Sequence, residues 1–345
     1  MKTTSLSFAA ILLAGAAYAQ VTPEIAKQLV NIGRGVCVPQ TAQVYRPLHG
    51  NPPYTGVNIA RDQKFGPNAL DVADVFSAEK GGGNRTVLIY SPGGTGNKLQ
   101  GGPNGDVFYD NVMLWATKND MVGVLMQRHA GANWDDPGKD VGLLVKWVQE
   151  NIKKFKGNPD RIFIWSQSAG NQPIAIYMAH PELQGPKGSG VKGVIFMSSP
   201  GFSILPAVPP AAANGFGTCN NPDGSPFVAA PAAAKGGAPK GDAVAKGGGG
   251  GRGKAAQPDE ATLLARSNLA GLQKSKAQFF VSAAELDPPG VIAFAETLRD
   301  QLCAAKHCPQ YALIKDHSHI SEVMSPNTTD VSVTGPILKW IKSVK

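Results

Sequence analysis

Apolar positions along the chain follow two alternating patterns. Short β-branched and apolar runs alternate with longer amphipathic runs, which is typical of parallel strands joined by crossover helices. The short runs predict strands at Thr86–Tyr90, Met121–Met126, Arg161–Trp165, Val194–Met197, Gln278–Ser282 and Tyr311–Ile314. The longer runs predict helices at Val107–Lys118, Val141–Phe155, Ala169–Ala179, Val291–Ala304 and Val331–Ser343. The pattern therefore predicts an α/β protein with one doubly wound, mostly parallel sheet covered by helices on both faces.

The N-terminal residues have a pattern of their own. Lys2 supplies a positive charge, Phe8 to Ala17 form an apolar stretch, and Ala17-Tyr18-Ala19 places small residues where a signal peptidase cleaves. We expect a secretory signal peptide at residues 1–19 and one α/β domain over residues 20–345. No later apolar run approaches the ~20 residues of a membrane-spanning helix. The mature protein is therefore expected to be secreted, to the periplasm or the medium, without stable membrane insertion.

Composition adds one interruption to this domain. A chain of 345 residues with 42% hydrophobic residues can bury a large core, which excludes disorder of the whole chain. Residues 207–258 differ in composition from the rest of the chain, because the stretch 229–258 alone holds ten alanines, nine glycines and three prolines. Such a stretch buries too little apolar surface to offset the entropy of ordering it. We expect a disordered, low-complexity insertion at about 207–258 within the single domain.

The net charge of +8 is concentrated outside the predicted core. Residues 229–258 contain four lysines, one arginine and one aspartate, a net +4, and Lys2 would leave with the signal peptide, so +3 remains. No basic helix with interleaved aromatic residues occurs in the sequence, so nucleic acid is not an expected partner. The sequence does not define an oligomeric state.

Four cysteines would face an oxidising compartment after export, where disulfides persist. Cys303 and Cys308 lie close together near a predicted helix end, which favours a bridge between them and leaves Cys37 and Cys219 to pair or to stay free. The sequence contains no CxxC pair and no matching cysteine–histidine cluster. We therefore expect no zinc or other metal site and no cofactor.

A candidate nucleophile lies where the strand Arg161–Trp165 turns tightly into a helix through Ser166-Gln167-Ser168-Ala169-Gly170. A serine at the tip of such a turn projects its hydroxyl above the sheet, and the next backbone N–H, that of Ala169, points to where an oxyanion would form. Ser166 and Gly170 are small enough to let strand and helix approach. Ser166 replaces the first glycine of the usual G-x-S-x-G pattern. The alternative reading is a serine that caps the helix.

A glycine-rich loop follows the strand Thr86–Tyr90, with the sequence Ser91-Pro92-Gly93-Gly94-Thr95-Gly96. Glycines there allow backbone N–H groups to face a reacting carbonyl. Pro92 has no N–H, so Gly93 and Gly94 are the candidate oxyanion donors beside Ala169. A flexible turn without a chemical role is the alternative reading.

Together, these segments are similar to the α/β-hydrolase carboxylesterases, including secreted feruloyl-esterase-like members. The resemblance is carried by Gly157-Asn158-Pro159-Asp160-Arg161 leading into the Ser168 turn, by Phe65-Gly66-Pro67 and Leu70-Asp71-Val72, by Asp140 with Trp147 and Asn151, and by Asp330-Val331-Ser332. It extends over nearly the whole mature chain except the insertion. It implies a serine, an acid and a histidine in that order along the chain.

Two histidines occupy the position where this fold delivers a base, in the loop after the strand Tyr311–Ile314. The family pattern favours His319 as the base, with His317 as a pocket-lining or hydrogen-bonding neighbour. His180 and His307 fit surface or capping positions better. A serine hydroxyl needs such a base because at its ordinary pKa it is a poor nucleophile.

The acid is expected after the strand Gln278–Ser282, where Glu285 and Asp287 both lie at the carboxyl edge of the sheet. Asp287 precedes a proline and resembles the Asp-Pro acid of the family. Glu285 is the fallback, since its longer side chain could also reach an imidazole. Asp287 could alternatively serve only to cap the next helix.

The expected function is hydrolysis of carboxylic esters through an acyl-enzyme, with a small or polymeric ester as substrate. Alternatives are an amidase or peptidase and a polymer-ester depolymerase on the same scaffold, or a non-catalytic binding member of the fold. The sequence does not specify which ester is bound. Trp134, Phe202 and Phe216 are candidate pocket walls, although each could equally be ordinary packing.

Overall fold

The computed structural model describes residues 21–99, 107–186, 188–208, 217–227 and 258–345. The predicted signal peptide lies outside these residues, as do positions 209–216 and 228–257 of the predicted insertion. Among the described residues, no helix is both long and apolar enough to cross a membrane.

The described residues form one sheet of eight strands, in the order β1-β2-β4-β3-β5-β6-β7-β8. Only the pairs β1/β2 and β2/β4 are antiparallel, and β3 to β8 run parallel. The strands are β1 Val57–Lys64, β2 Val72–Ala78, β3 Arg85–Ser91, β4 Met121–Met126, β5 Gly157–Gln167, β6 Val191–Met197, β7 Gln278–Ala284 and β8 Gln310–Ile314. All six predicted strands are present. The two that were not predicted, β1 and β2, form the antiparallel edge.

Helices cover both faces of this sheet. The helices of the described residues are α1 Pro23–Ile32, α2 Val38–Tyr45, α3 Asp110–Lys118, α4 Asp136–Asn151, α5 Asn171–Ala179, α6 Glu260–Ala265, α7 Leu269–Lys274, α8 Pro289–Ala304, α9 Ser321–Met324 and α10 Thr334–Ser343. Each face of the sheet has its own hydrophobic core, and alternate side chains of β5 enter one or the other. Ile162 and Ile164 pack with α4, α5 and α8 on one face. Phe163 and Trp165 pack with α3 and α10 on the other. The predicted doubly wound α/β fold is confirmed.

The starts of three helices differ from the prediction by three residues or more. α3 begins at Asp110 and α10 at Thr334, each three residues later than the apolar pattern indicated, while α4 begins earlier, at Asp136. Buried apolar side chains account for the two late starts, because Val107 and Val333 are buried in the loops that lead into their helices. Burial alone does not distinguish a helix from the loop that precedes it.

An N-terminal unit of α1 and α2 is attached to the segment 217–227. Cys37 and Cys219 form a disulfide, and the N–H of Asn220 donates to the carbonyl of Ile32 at 3.0 Å. The predicted bridge between Cys303 and Cys308 is also present. Residues 217–227 fall inside the predicted insertion, but these contacts hold them, so the prediction of disorder does not apply to that stretch.

The parallel strands bring several connections to one edge of the sheet. The carboxyl ends of β3, β5, β6, β7 and β8 all open onto this edge, because the five strands run in the same direction. Ligand sites of open α/β sheets lie in the crevice outside these carboxyl ends. The predicted site residues follow β3, β5, β7 and β8, so they converge there.

Candidate active site

Ser168 occupies a strained turn between β5 and α5. Its φ of +51° lies in the left-handed region that a side chain other than glycine rarely adopts. The turn is tight because Gly170 lies against β3, where an added Cβ would collide with the carbonyl oxygen of Ser91. This geometry raises the Ser168 hydroxyl above the end of the sheet.

Ser166, two residues earlier, has a different environment. Its side chain is fully buried, with Oγ 2.8 Å from Oδ1 of Asn171 and 3.0 Å from the carbonyl oxygen of Ile195. The side-chain amide of Asn171 in turn donates to the backbone carbonyl of Ser168 at 2.8 Å. Ser166 therefore fixes the start of α5 and leaves Ser168 as the serine at the tip of the turn.

His319 and Asp287 complete a chain of hydrogen bonds with Ser168. Nε2 of His319 lies 2.9 Å from Oγ of Ser168, and Nδ1 of the same ring lies 2.6 Å from Oδ1 of Asp287. His319 and Asp287 are both fully buried. The side-chain amide of Gln167 donates to the backbone carbonyl of His319 at 2.9 Å, and this bond fixes the loop that carries the imidazole.

The carboxylate of Asp287 is held by donors from two neighbouring strands. Its Oδ2 accepts the backbone N–H of Ala284 at 2.7 Å and the hydroxyl of Ser198. Ser198 follows β6 and has a φ of +43°, which turns its side chain back to the end of β7. With Oδ1 on His319, both oxygens of Asp287 are occupied and the carboxylate has a fixed orientation.

The alternative base and the alternative acid lie in other hydrogen-bond networks. Both ring nitrogens of His317 are occupied, Nδ1 at 3.0 Å from Oγ of Ser321 and Nε2 at 2.8 Å from Oγ of Ser332. Nε2 also lies 3.0 Å from the carboxylate of Asp330. The carboxylate of Glu285 accepts the backbone N–H of Asp316 at 2.9 Å.

The loop after β3 approaches Ser168 from the other side. A Cβ added to Gly93 would collide with Oε1 of Gln167 and would lie 3.0 Å from Cβ of Ser168, so a larger residue here would displace the Gln167 side chain and crowd the nucleophile. Gly94 adopts a φ of +52°, which again favours glycine. Gly93, Gly94 and Ala169, the predicted oxyanion donors, are therefore placed on the two segments that flank the Ser168 hydroxyl.

Glu322 is a buried carboxyl that sequence reasoning did not assign. It is fully buried, and neither carboxyl oxygen has a hydrogen-bond partner among the described residues. Burial, and then the charge of Asp287, raise the pKa of Glu322 well above its ordinary value, and the nearby Ser198 and Gln167 side chains only partly oppose this. Burial and the nearby Asp287 therefore favour the protonated form of the Glu322 carboxyl.

Other residues singled out from the sequence have packing or structural contacts. Phe202 belongs to the core, where its ring contacts Phe196 and Phe294. Trp134 contacts His180 and the guanidinium of Arg266, and Phe216 lies outside the described residues. His307 contacts the carbonyl of Ala277 at 3.0 Å.

One cluster among the described residues has the composition of a metal site, namely Asp71, His129 and Asp140. Nε2 of His129 lies 2.9 Å from the Asp71 carboxylate and 3.2 Å from that of Asp140. Burial disfavours the charged imidazole, but the Asp71 hydrogen bond and the Asp140 charge outweigh it and raise the pKa of His129. Nε2 of His129 therefore contacts both carboxylates, and the three groups form ion pairs when the imidazole is protonated.

A mostly parallel sheet with helices on both faces and a serine on a strained strand-to-helix turn defines the α/β-hydrolase fold. Solved esterase structures share it. A thermostable esterase from Pseudomonas putida superposes with a TM-score of 0.57 at 12% identity, covering 91% of this chain and 89% of that one. The metagenomic carboxylesterase EstE1 gives 0.54 at 16% identity, covering 88% and 96%. At such identities the similarity concerns the fold alone.

The sequence around the Ser168 turn is similar to carboxylesterases. The profile of the carboxylesterase family matches residues 128–210. Human cocaine esterase is 35% identical over 89 residues, which are 22% of this chain and 16% of that protein. Para-nitrobenzyl esterase of Bacillus subtilis is 29% identical over 124 residues, 32% and 25% of the two chains. The matched segments thus span a quarter or less of these relatives. The chain has the α/β-hydrolase fold, and its segment around Ser168 is similar to the carboxylesterase family.

Proposed function

We propose that the protein is a serine hydrolase that cleaves carboxylic esters through an acyl-enzyme. The observation that carries this proposal is the hydrogen-bonded chain from Ser168 through His319 to Asp287, with the serine on a strained turn beside Gly93. Nucleophile, base and orienting acid are thereby within hydrogen-bond reach of one another before substrate arrives. The carboxylesterase match at residues 128–210 includes the Ser168 turn and supports the same chemistry.

Acylation begins when Oγ of Ser168 attacks the ester carbonyl carbon. As the C–O bond forms, the hydroxyl proton passes to Nε2 of His319, and the carboxylate of Asp287 stabilises the resulting imidazolium through Nδ1. The carbonyl oxygen becomes an oxyanion, for which the N–H groups of Gly93, Gly94 and Ala169 are the proposed donors. Collapse of the tetrahedral intermediate breaks the ester C–O bond, and His319 returns the proton to the departing alcohol.

Deacylation repeats these steps with water as the nucleophile. His319 takes a proton from water while the oxygen attacks the acyl carbon, and the second tetrahedral intermediate collapses to release the carboxylic acid. The proton returns to Oγ of Ser168, so the enzyme is regenerated unchanged. Ser168 and His319 therefore accept and return every proton that is transferred in the cycle.

We also propose that the protein is exported. The signal-peptide pattern at residues 1–19 predicts export, and two disulfides are typical of proteins in an oxidising compartment. Either a small or a polymeric ester remains compatible with an exported hydrolase.

A matched panel of p-nitrophenyl esters and p-nitroanilides tests the proposal. The acyl groups should include acetyl, butyryl, lauroyl and feruloyl, so that the panel also ranks substrate classes. We expect hydrolysis of esters, with anilides at least about 100-fold slower, because an amine leaving group needs better protonation. Comparable anilide rates would favour the amidase alternative, and hydrolysis of neither series would favour a non-catalytic protein.

Serine variants identify the nucleophile in the same assay. Ser168→Ala should lower turnover by about 10⁶-fold without unfolding the protein. Ser166→Ala is the matched control, because its buried hydroxyl contacts Asn171 and Ile195, and it should retain much of the activity. Equal residual activity in the two variants would contradict the assignment of Ser168.

A further inference from the structure

Within the described part of the chain, the hydrogen bonds of the Arg128 guanidinium all go to one loop. Arg128 follows the end of β4, which lies beside β3 in the sheet. Its Nε donates to the carbonyl of Pro92 at 2.7 Å, and its Nη2 donates to the carbonyls of Gly94 at 3.0 Å and Gly93 at 3.2 Å. Its backbone N–H donates to the carbonyl of Gly96 at 2.9 Å. Four carbonyls of the glycine-rich loop thus point to one arginine.

This arrangement fixes the direction of the N–H groups in the loop. In a planar trans peptide, a carbonyl and the N–H of the next residue point in opposite directions. With the carbonyls of Pro92 and Gly93 turned to the guanidinium, the N–H groups of Gly93 and Gly94 point away from it. Neither of these N–H groups has a hydrogen-bond acceptor within the described part of the chain.

The loop lies between Arg128 and Ser168. Gly96 packs on the side of the arginine, where an added Cβ would be 3.1 Å from the guanidinium carbon. Gly93 packs on the other side, where an added Cβ would be 3.0 Å from Cβ of Ser168. The arginine therefore contacts the loop on the side opposite the candidate nucleophile.

Arg128 has no carboxylate partner among the described residues. Burial lowers the pKa of Arg128 to about 10, with Tyr109 and Tyr90 opposing the shift, so the guanidinium is charged at neutral pH. Its charge is directed at the carbonyl oxygens of the loop. A partly buried cation without an acidic partner among the described residues is costly to retain, which favours a role beyond packing.

We propose that Arg128 is a positioning residue that holds the loop 92–96 with its N–H groups directed to the oxyanion of the Ser168 reaction. This inference rests on the proposed ester hydrolysis and adds a residue to it. The guanidinium does not touch substrate. It acts through the loop, by binding the carbonyl ends of the same peptides whose N–H ends would stabilise the transition state.

Three variants test this role. Arg128→Gln removes the charge and most of the donors, and Arg128→Lys keeps the charge with a less suitable geometry. Arg161→Gln is the matched control, because Arg161 also donates to two backbone carbonyls, those of Val344 and Ile341, near the start of β5. All three are compared at a temperature where their circular dichroism spectra match that of the wild type.

Kinetics separate positioning from general destabilisation. For Arg128→Gln we expect kcat to fall about 10²-fold while KM changes less than about threefold, because only the transition state carries the oxyanion. A trifluoromethyl ketone, which forms a tetrahedral adduct with the serine, should bind weaker by a similar factor. Arg128→Lys should be intermediate, and Arg161→Gln should keep the wild-type kcat. A kcat of Arg128→Gln within about threefold of the wild type would overturn the proposal.

Hydrogen exchange gives a readout that does not depend on turnover. The N–H of Gly96 donates to the carbonyl of Gly93, and the N–H of Lys98 donates to Oε1 of Gln127 at 3.1 Å. In Arg128→Gln these two amides should exchange faster than in the wild type, and in Arg161→Gln they should not. Unchanged exchange would overturn the positioning role. A wild type that hydrolyses no ester would contradict the proposed function alone, since exchange still decides whether Arg128 holds the loop.

Discussion

At the scale of single residues, His317 and His319 are two positions apart and have different partners. His319 lies between Ser168 and Asp287, whereas His317 lies among Ser321, Ser332 and Asp330. Both rings are fully buried, so burial does not distinguish them. Only the ring of His319 is placed to accept the proton of the Ser168 hydroxyl.

The two histidine variants are therefore expected to fail in different ways. His319→Ala should lower kcat by about 10⁴- to 10⁶-fold with little loss of stability, because it removes the base. His317→Ala should keep kcat within about tenfold and lower the free energy of unfolding by about 1–3 kcal/mol, since it leaves buried hydroxyl and carboxylate groups without a partner. Turnover and urea unfolding measured on both variants decide this. The reverse result would make His317 the base.

Glu322 provides a second residue-scale prediction. Because burial and the charge of Asp287 raise the pKa of the Glu322 carboxyl, its protonated form is favoured, and Glu322→Gln should match the wild type in shape and charge. We expect kcat to change less than about threefold and the acidic limb of the pH–rate profile to stay in place. An ionised Glu322 would behave differently, since its removal would take a negative charge from beside Asp287. A shift of the acidic limb by about one pH unit would contradict the neutral state.

The sequence predicted the three residues of the hydrogen-bonded chain but not their supports. Ser168 was found because its turn has a local pattern. The order of serine, acid and histidine left two candidates for the base and two for the acid, and the resemblance to the carboxylesterases favoured His319 and Asp287. Ser198 and Glu322 carry no local signal. Ser198 binds Asp287 from the end of β6, and the charge of Asp287 acts on Glu322 in α9. These relations appear only once β6, β7 and α9 are assembled.

At the scale of elements, the parallel strands β3 to β8 were predicted and the antiparallel strands β1 and β2 were not. Strands β3 to β6 are buried on both faces, so their sequences are nearly continuous apolar runs. β1 is a partly exposed edge strand, and its sequence Val-Asn-Ile-Ala-Arg-Asp-Gln-Lys mixes charged and apolar residues. That mixture conceals a strand from an analysis that searches for apolar runs.

An ion-pair network joins three of these elements and makes stability depend on pH. His129, after β4, bridges Asp71, just before β2, and Asp140 in α4. The folded-state pKa of His129 is raised above its unfolded value. The bridge therefore contributes its full stability below the unfolded pKa of about 6.5, and this contribution is lost as the pH rises through the folded-state pKa.

Urea unfolding of the wild type and of His129→Gln between about pH 6 and pH 9 tests whether this contribution to stability falls as the pH rises. The excess stability of the wild type should be largest at the acidic end and should shrink as the pH rises. His307→Gln is a suitable control, because the ring of His307 contacts a backbone carbonyl and not a carboxylate. An excess that grows with pH would contradict the assignment.

At the scale of the whole molecule, the N-terminal unit is linked to distant parts of the chain. The disulfide from Cys37 to Cys219 closes a loop of 182 residues. Arg34, between α1 and α2, donates to the carbonyls of Glu285 and Asp287 at 2.9 and 3.0 Å. The segment before β1 therefore supports the turn that carries the candidate acid. The sequence left the pairing of Cys37 with Cys219 open, and no sequence pattern indicates the Arg34 contacts.

The two disulfides are expected to differ in their effect on stability. Chain-entropy reasoning gives about 5 kcal/mol for the 182-residue loop of Cys37–Cys219 and about 2 kcal/mol for the five-residue loop of Cys303–Cys308. Cys37→Ala/Cys219→Ala should therefore lower the free energy of unfolding more than Cys303→Ala/Cys308→Ala does. Urea unfolding of the two double variants measures the difference. Equal losses would show that loop closure is not the main contribution.

The most direct test of the central claim is to trap the acyl-enzyme and locate it. The wild type is mixed with an excess of a p-nitrophenyl ester, quenched in acid during the first turnovers, digested and mapped by mass spectrometry. The proposed mechanism predicts one acyl group per chain, carried by Ser168. Ester hydrolysis with the acyl group on another residue, or undiminished hydrolysis by Ser168→Ala, would contradict it.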